Sequence, residues 1–214
     1  MRTVSAMPGE VWWSEATIDP TWRPVASGNA YRLHQMVEAV TDGVGYGGGE
    51  QRTLWRLNRN VVLIQSARLA DWSRYDVPVL STRERRIDDV WSKLREGMEV
   101  SFSCVVAPAV AKWDGVPNGS RGRRMPIWAR DIVGIQKWWG ERALRCGFEP
   151  VETRVVAERV VGLQKRQDRY SLSGVELGGR LCIMEVEPFV AALERGIGRC
   201  KSLGCGLLLF APRV

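Results

Sequence analysis

The sequence predicts an α+β protein built from two small units of one plan, residues 1–97 and residues 98–214. Three observations predict it. β-prone runs alternate with amphipathic helical stretches in a similar order in each half. At 214 residues the chain suits one large or two small domains of roughly 100–200 residues each. With 45% hydrophobic residues and ten tryptophans it can bury a core and is not a disordered polymer. The order in each half approximates βαββαβ, the split ferredoxin-like or RRM-like unit, so the expectation is two tandem ferredoxin-like domains. No repeat of residues accompanies this repetition of element order.

In the first half, Val11–Asp19 (VWWSEATID) is β-prone and reads as a strand. A loop with Pro20, Pro24, Ser27 and Gly28 follows, and Asn29 is an N-cap for a helix over Ala30–Thr41. Its apolar positions Ala30, Leu33, Val37 and Val40 keep helical spacing. The glycine-rich Asp42–Gly49 ends that helix. Thr53–Asn58 and Asn60–Ser66 form a hairpin about Asn58-Arg59-Asn60. Leu69–Tyr75 is ambiguous, Val77–Leu80 is a short strand, and Arg83–Glu96 reads as a charged connection with some helical character.

In the second half, Met98–Val110 restarts the strand pattern and Asp114–Pro126 reads as a basic Gly/Pro loop. Ile127–Cys146 is a helix with Trp128, Ile132, Ile135, Trp138 and Trp139 near one face, and Gly147 caps it. Glu152–Leu163 and Ser171–Val186 are strands joined by the basic turn Gln164–Tyr170, and Pro188 opens a helix to Arg195. A four-stranded sheet with two helices on one face leaves its other face free, an arrangement that often binds RNA.

The formal charge is +7. Residues 1–97 hold 13 Lys/Arg against 12 Asp/Glu, and residues 98–214 hold 18 against 12. The excess therefore sits in the second half and points to an acidic partner there. Five dispersed cysteines without a C-x-x-C pair, and one histidine, leave little scope for a zinc site. Met1–Glu10 lacks the apolar segment of a signal peptide, and no run of about 18 apolar residues predicts a membrane span. A reducing, cytoplasmic setting fits these features.

The densest stretch is Glu194–Leu207 (ERGIGRCKSLGCGL), with four glycines and the cations Arg195, Arg199 and Lys201. Either it is an anion-binding loop of backbone N–H groups and cations, or it is a glycine-capped helix leading into a core strand. The Walker spacing is absent. Two further motifs are Tyr31-Arg32-Leu33-His34-Gln35 and Asn60–Ala67 (NVVLIQSA).

These three stretches, in this order, resemble the signatures of the CasE family, the repeat-processing CRISPR endoribonucleases of type I-E. The glycine-rich GIGRCKSLGCGLLLFAP resembles that family's closing motif, YRLHQ its first-helix motif, and VVLIQSA its V-L-L-Q-S-A strand. The resemblance spans nearly the whole chain. It departs in the Asp42–Gly49 loop, in the Trp-rich first strand and in the proline expected between Gly198 and Lys201, where Arg199 and Cys200 stand. The family implies two ferredoxin-like domains and metal-independent cleavage of precursor CRISPR RNA at the base of the repeat stem-loop, with no cofactor. It also implies retention of the product in the multisubunit complex Cascade, so the partners are repeat RNA and other Cascade subunits.

His34 is the sole histidine. A histidine side chain is suited to proton transfer near neutrality, though a lone histidine on a helix face is otherwise a packing residue. Tyr31, three residues earlier, shares its face. RNA carries its own nucleophile, the 2′-OH. His34 is the candidate for proton transfer, Tyr31 for orienting the 2′-OH, and Lys201 or loop N–H groups for holding the phosphate. The expected products are a 2′,3′-cyclic phosphate and a 5′-OH. Candidate RNA-binding residues are Arg121, Arg123 and Arg124, Lys165, Arg166 and Arg169, and Gly198, Arg199, Ser202 and Gly204 of the C-terminal loop; Arg130, Lys137, Arg142 and Arg145 are further possible contacts. The adjacent pairs Trp12-Trp13 and Trp138-Trp139 cannot each share one face fully, which implies either a subunit contact or packing between the domains. The competing functions are a non-catalytic RNA-binding subunit and, more distantly, a small-molecule enzyme with a phosphate loop.

Overall fold

A computed structural model describes residues 10–26, 29–43, 52–112, 123–165 and 168–212. The first unit comprises β1 (Trp12–Ile18), α1 (Arg23–Ala26), α2 (Ala30–Val40), β2 (Leu54–Asn58), β3 (Val61–Ser66), β4 (Val79–Arg86) and α3 (Asp88–Trp91). The second comprises β5 (Glu99–Val106), β6 (Ala109–Lys112), β7 (Arg123–Pro126), α4 (Ile132–Arg145), β8 (Phe148–Lys165), β9 (Asp168–Ile183), α5 (Val186–Arg195) and β10 (Leu208–Pro212). The two four-stranded sheets run β2-β3-β1-β4 and β10-β5-β9-β8, and every neighbouring pair is antiparallel. In both, the first and third strands of the unit lie in the middle, the order of a βαββαβ fold. β6 and β7 form a separate ribbon.

Local signals account for the first unit's main helix. The Asn29 side chain accepts from the Arg32 N–H at 3.4 Å, and Ala30, Leu33, Met36, Val37 and Val40 are buried. They pack on Ala16 and Ile18 of β1 and on Trp55, Val62 and Ile64 of the hairpin. Arg59 turns that hairpin with φ of 55°.

The elements differ from the sequence reading at several points. The second crossover of the first unit is only a 3₁₀ turn, Trp72–Arg74, capped by Asp71. Arg83–Arg86, expected in a charged connection, belong to β4; an edge strand keeps charged side chains in solvent while its backbone pairs with β1, so charge there does not oppose a strand. Helical structure beyond it is confined to α3. In the second unit, residues 123–126 of the expected loop are strand β7, and α4 starts at Ile132 rather than Ile127 because Asp131 caps it, accepting from the Gly134 N–H at 2.9 Å.

The second core lies between its sheet and helices α4 and α5. Val100, Phe102, Cys104 and Val106 alternate inward from β5 and meet Ile135, Trp138, Trp139 and Phe189. Phe102 stacks on Trp139 at 5.4 Å between centroids, and Phe148, Phe189 and Phe210 continue the aromatic chain. Val11, Ile87, Trp91 and Leu94 also enter this core. Trp138 and Trp139 are both buried, which favours internal packing over a subunit contact for this pair. Trp139 faces the sheet, while Trp138 is covered by the C-terminal loop: a Cβ on Gly198 would lie 3.2 Å from its ring. Trp12 and Trp13 are half-buried.

The units meet through the open face of the first sheet. Arg56 Nη2 donates to Glu176 Oε1 at 2.5 Å, Gln65 Nε2 donates to the Leu193 carbonyl at 2.7 Å, and Trp13 packs on the second core.

Candidate active site

The loop after α5 owes its shape to its glycines. Gly196, Gly198, Gly204 and Gly206 all have positive φ, and Cys200 is also left-handed at 60°. Backbone bonds fold the loop back on itself: Ile197 N–H donates to Gly206 O at 2.8 Å, and Gly206 N–H to Val105 O at 2.7 Å. A Cβ on Gly206 would stand 2.8 Å from the Ile197 carbonyl oxygen, so a side chain there would break this closure. Between the left-handed Cys200 and Gly204 lies a 3₁₀ turn, Lys201–Leu203. The stretch is thus a helix ending in glycine, a compact loop and then strand β10, the second of the two alternatives the residues left open.

The turn is seated on the other half of the chain. Trp55 Nε1 donates to the Ser202 carbonyl at 3.2 Å, Leu203 packs on the first core, and the Trp55 ring lies where a Gly204 Cβ would approach to 3.0 Å. Cα atoms of α2 and of β2 come within 8 Å of the turn. The helix carrying Tyr31 and His34 and the turn carrying Lys201, far apart in sequence, therefore meet where the two units join. His34 is half-buried, 20% exposed at its side chain, with Nε2 3.9 Å from Glu38 Oε2 one helical turn on. Tyr31 is half-buried and Arg199 is exposed.

Burial lowers the Lys201 pKa and the like charge of Arg52 lowers it further; Cys146 acts the other way, and Arg195 adds a smaller lowering. Burial first, and then a neighbouring cation, disfavour the ammonium form of this lysine. Burial raises the thiol pKa of Cys146, the cysteine that acts on Lys201. Burial, reinforced by Cys200, pushes Cys205 up to about 12, and burial also pushes Cys104 up.

Residues 11–212 match the profile of a family described as CRISPR associated protein. The chain belongs to that family. The CRISPR-associated endoribonuclease Cse3 of Thermus thermophilus is 24% identical over 223 residues, covering 94% of this chain and all of the relative. A solved structure of Thermus thermophilus Cse3 bound to an RNA representing a pre-cleavage complex superposes with TM-score 0.76 at 23% identity, over 95% of this chain and 100% of that one. Cas6e from Escherichia coli gives 0.67 at 22% identity, over 94% and 100%. The tandem ferredoxin-like architecture is therefore shared along the whole chain.

Other sequence-derived candidates occupy different elements of this CRISPR-associated protein. Arg124 is exposed on the β6–β7 ribbon, and Arg123 lies in the same strand. Lys165 and Arg169 flank the tip of the long β8–β9 hairpin, where Gln164 pairs with Arg169 and Lys165 with Asp168. Arg121 and Arg166 lie outside the described residues. Arg142 is engaged over the Trp138 ring at 5.2 Å, whereas Arg130, Lys137 and Arg145 are exposed. Among the described residues, no group of three or more His, Cys, Asp and Glu side chains is arranged to hold a metal ion. No described helix is long and apolar enough to cross a membrane.

Two arginines escaped the sequence reading. Arg52 stands just ahead of β2, and Arg56 reaches across to Glu176. Only their position in or just ahead of the strand that docks on the C-terminal turn distinguishes them, and that docking has no local signature.

Proposed function

We propose that the chain is an endoribonuclease that cleaves precursor CRISPR RNA at the base of the repeat stem-loop and keeps its product within Cascade, in the cytoplasm. The observation that carries this reading is the meeting of the Tyr31/His34 helix with the Lys201 turn. Family membership and a full-length relative named as an endoribonuclease support it. So does the likeness to a chain of a CRISPR RNA-guided surveillance complex, at TM-score 0.63 and 20% identity over 94% of this chain.

Residues 1–97 and 98–214 act as two domains, with the scissile bond held between them. The 2′-oxygen attacks the adjacent phosphorus, forming the 2′-O–P bond while the P–O5′ bond breaks. His34 carries the proton transfer, Tyr31 orients the 2′-OH, and Lys201 with the N–H groups of the Gly198–Gly204 loop balances the phosphorane charge. A general acid or base contributes about 10²–10⁴-fold. The products are a 2′,3′-cyclic phosphate and a 5′-OH, and the scheme uses no metal or cofactor. Arg199 and Ser202 contact the RNA beside Lys201. Arg121, Arg123 and Arg124, together with Lys165, Arg166 and Arg169, hold the stem through its phosphates, because the deep major groove of A-form RNA closes its base edges to side chains.

The test is incubation of wild type and His34→Ala with repeat RNA, followed by mapping of the product ends. The expectation is one cut at the stem base with a cyclic phosphate, at least about 100-fold slower in His34→Ala, and no cut in RNA with a 2′-deoxy residue at that site. Wild-type rates in His34→Ala, or cleavage of the deoxy substrate, sink the mechanism. Binding without any product from wild type makes the chain an RNA-binding subunit instead.

A further inference from the structure

We infer that Arg52 is a phosphate ligand of this site, its guanidinium gripping a non-bridging oxygen of the scissile phosphate beside Lys201. The inference rests on the proposed RNA cleavage and adds to it a residue that no motif marks.

Arg52 opens the segment that leads into β2. That strand is fixed to the C-terminal loop at two points: Trp55 holds the Ser202 carbonyl, and the Leu54 side chain lies where a Cβ on Gly196 would come within 2.8 Å of it. The same docking brings the cations Arg52 and Arg195 near enough to act on Lys201. Three positive groups are thus held together by packing from both halves of the chain.

Arginines elsewhere in the fold are neutralised by neighbouring carboxylates. Arg56, Arg74, Arg86, Arg159 and Arg180 each face a carboxylate. Among the described residues, neither Arg52 nor Lys201 forms an ion pair. The Arg52 Nε–H is moreover removed from solvent without a hydrogen-bond partner among the described residues. Buried donors are satisfied in the great majority of proteins, so an orphan calls for a partner from outside. A guanidinium offers a flat fork of donors that matches two oxygens of one phosphate, which an ammonium cannot do. Lys201 supplies a point charge, and Arg52 supplies direction. The nearby helix α2 carries Tyr31 and His34, so a phosphate seated between Arg52 and Lys201 is placed for attack by its own 2′-oxygen.

The experiment compares wild type, Arg52→Gln and Arg52→Lys in single-turnover cleavage of repeat RNA, alongside the affinity of each for uncleavable 2′-deoxy repeat RNA. The substrate is also made with one sulfur at the scissile phosphate, as separate Rp and Sp diastereomers. Arg52→Gln is expected to slow cleavage about 100-fold, the scale of losing one aimed donor, while affinity changes by less than about threefold because many other phosphate contacts remain. Arg52→Lys recovers part of the rate. Wild type discriminates between the diastereomers, and Arg52→Gln loses most of that discrimination, which a merely structural arginine would not alter. Cleavage by Arg52→Gln near the wild-type rate, or an unchanged diastereomer ratio in both variants, overturns the assignment while leaving the endoribonuclease intact. Absence of cleavage by wild type itself brings down the endoribonuclease reading and the assignment with it.

Discussion

Replacing Glu176 by glutamine should destabilise the protein by about 3 kcal/mol. Glu176 lies on β9 with its side chain 10% exposed and serves two arginines. Oε1 accepts from Arg56 Nη2 at 2.5 Å, and Oε2 accepts from Arg159 Nη2 and Nε at 2.5 and 3.0 Å. Ser103 Oγ links Arg56 to Glu176, accepting from Arg56 Nη1 at 2.7 Å and donating to Glu176 Oε1 at 3.4 Å. Burial by itself raises the Glu176 carboxyl pKa, but the Arg159 hydrogen bond and the charges of Arg56 and Arg159 outweigh it and hold the carboxyl below its usual range. Glutamine keeps the volume but leaves Arg56, 8% exposed, as a buried charge without a counter-ion. Breaking a buried pair from one side costs about 3–5 kcal/mol. Arg159 is 35% exposed and can turn to water, so its share is at most about 1 kcal/mol and the low end applies.

For a chain of this length, that loss is roughly 6–12 °C in Tm, at about 2–4 °C per kcal/mol. Chemical denaturation of Glu176→Gln, Arg56→Met and the double variant Arg56→Met/Glu176→Leu measures it. The single variants should each lose about 3 kcal/mol and the double variant should return close to wild type, because an apolar pair removes the desolvation cost along with the attraction. Additive losses in the double variant would refute the reasoning. The pH dependence has a fixed sign. A depressed carboxylate stabilises fully above its unfolded value, about 4.3 for glutamate, and the contribution is lost as pH falls through the lower folded value. Wild type should therefore lose its advantage over Glu176→Gln on acidification below about pH 4. Because this bridge fixes one unit against the other, Glu176→Gln should also slow cleavage.

Lys201→Met should cost about 100-fold or more in cleavage yet raise the melting temperature at neutral pH, because the folded state disfavours the Lys201 ammonium through burial and neighbouring arginines; a lowered melting temperature would contradict this. As pH rises through the depressed folded value of Lys201, wild type should recover stability relative to Lys201→Met, a gain readable in melts at alkaline pH. Gly204→Ala places a Cβ 3.0 Å from the Trp55 ring at φ of +83° and should lose about 1–3 kcal/mol in denaturation. Trp55→Phe removes the donor to the Ser202 carbonyl and should cost about 1 kcal/mol, with a slower single-turnover rate at unchanged RNA affinity. Affinity for repeat RNA should fall linearly in log–log terms with salt, and Arg124→Gln should shallow the slope by about one ion; a flat salt dependence would remove the phosphate contacts from the scheme.

The sequence by itself determined what short-range physics specifies. Asn29 followed by apolar residues at helical spacing marked α2, and β-prone runs about Asn58-Arg59-Asn60 marked the β2–β3 hairpin. The clustered glycines marked a loop whose backbone needs positive φ. His34 and Tyr31, three apart on one helix, were legible as a pair for the same reason. What lay beyond such reach was decided only in the tertiary structure. Arg83–Arg86 carry no strand pattern because an edge strand meets solvent, so no hydrophobic alternation records its pairing. Trp138 is buried because a loop 60 residues later lies across it. Arg56 and Glu176, 120 residues apart, and Arg52 beside Lys201, become neighbours only when β2 docks on the loop after α5. Periodicity reports which way a residue faces within its own element; which distant element that face meets is set by how two finished sheets pack.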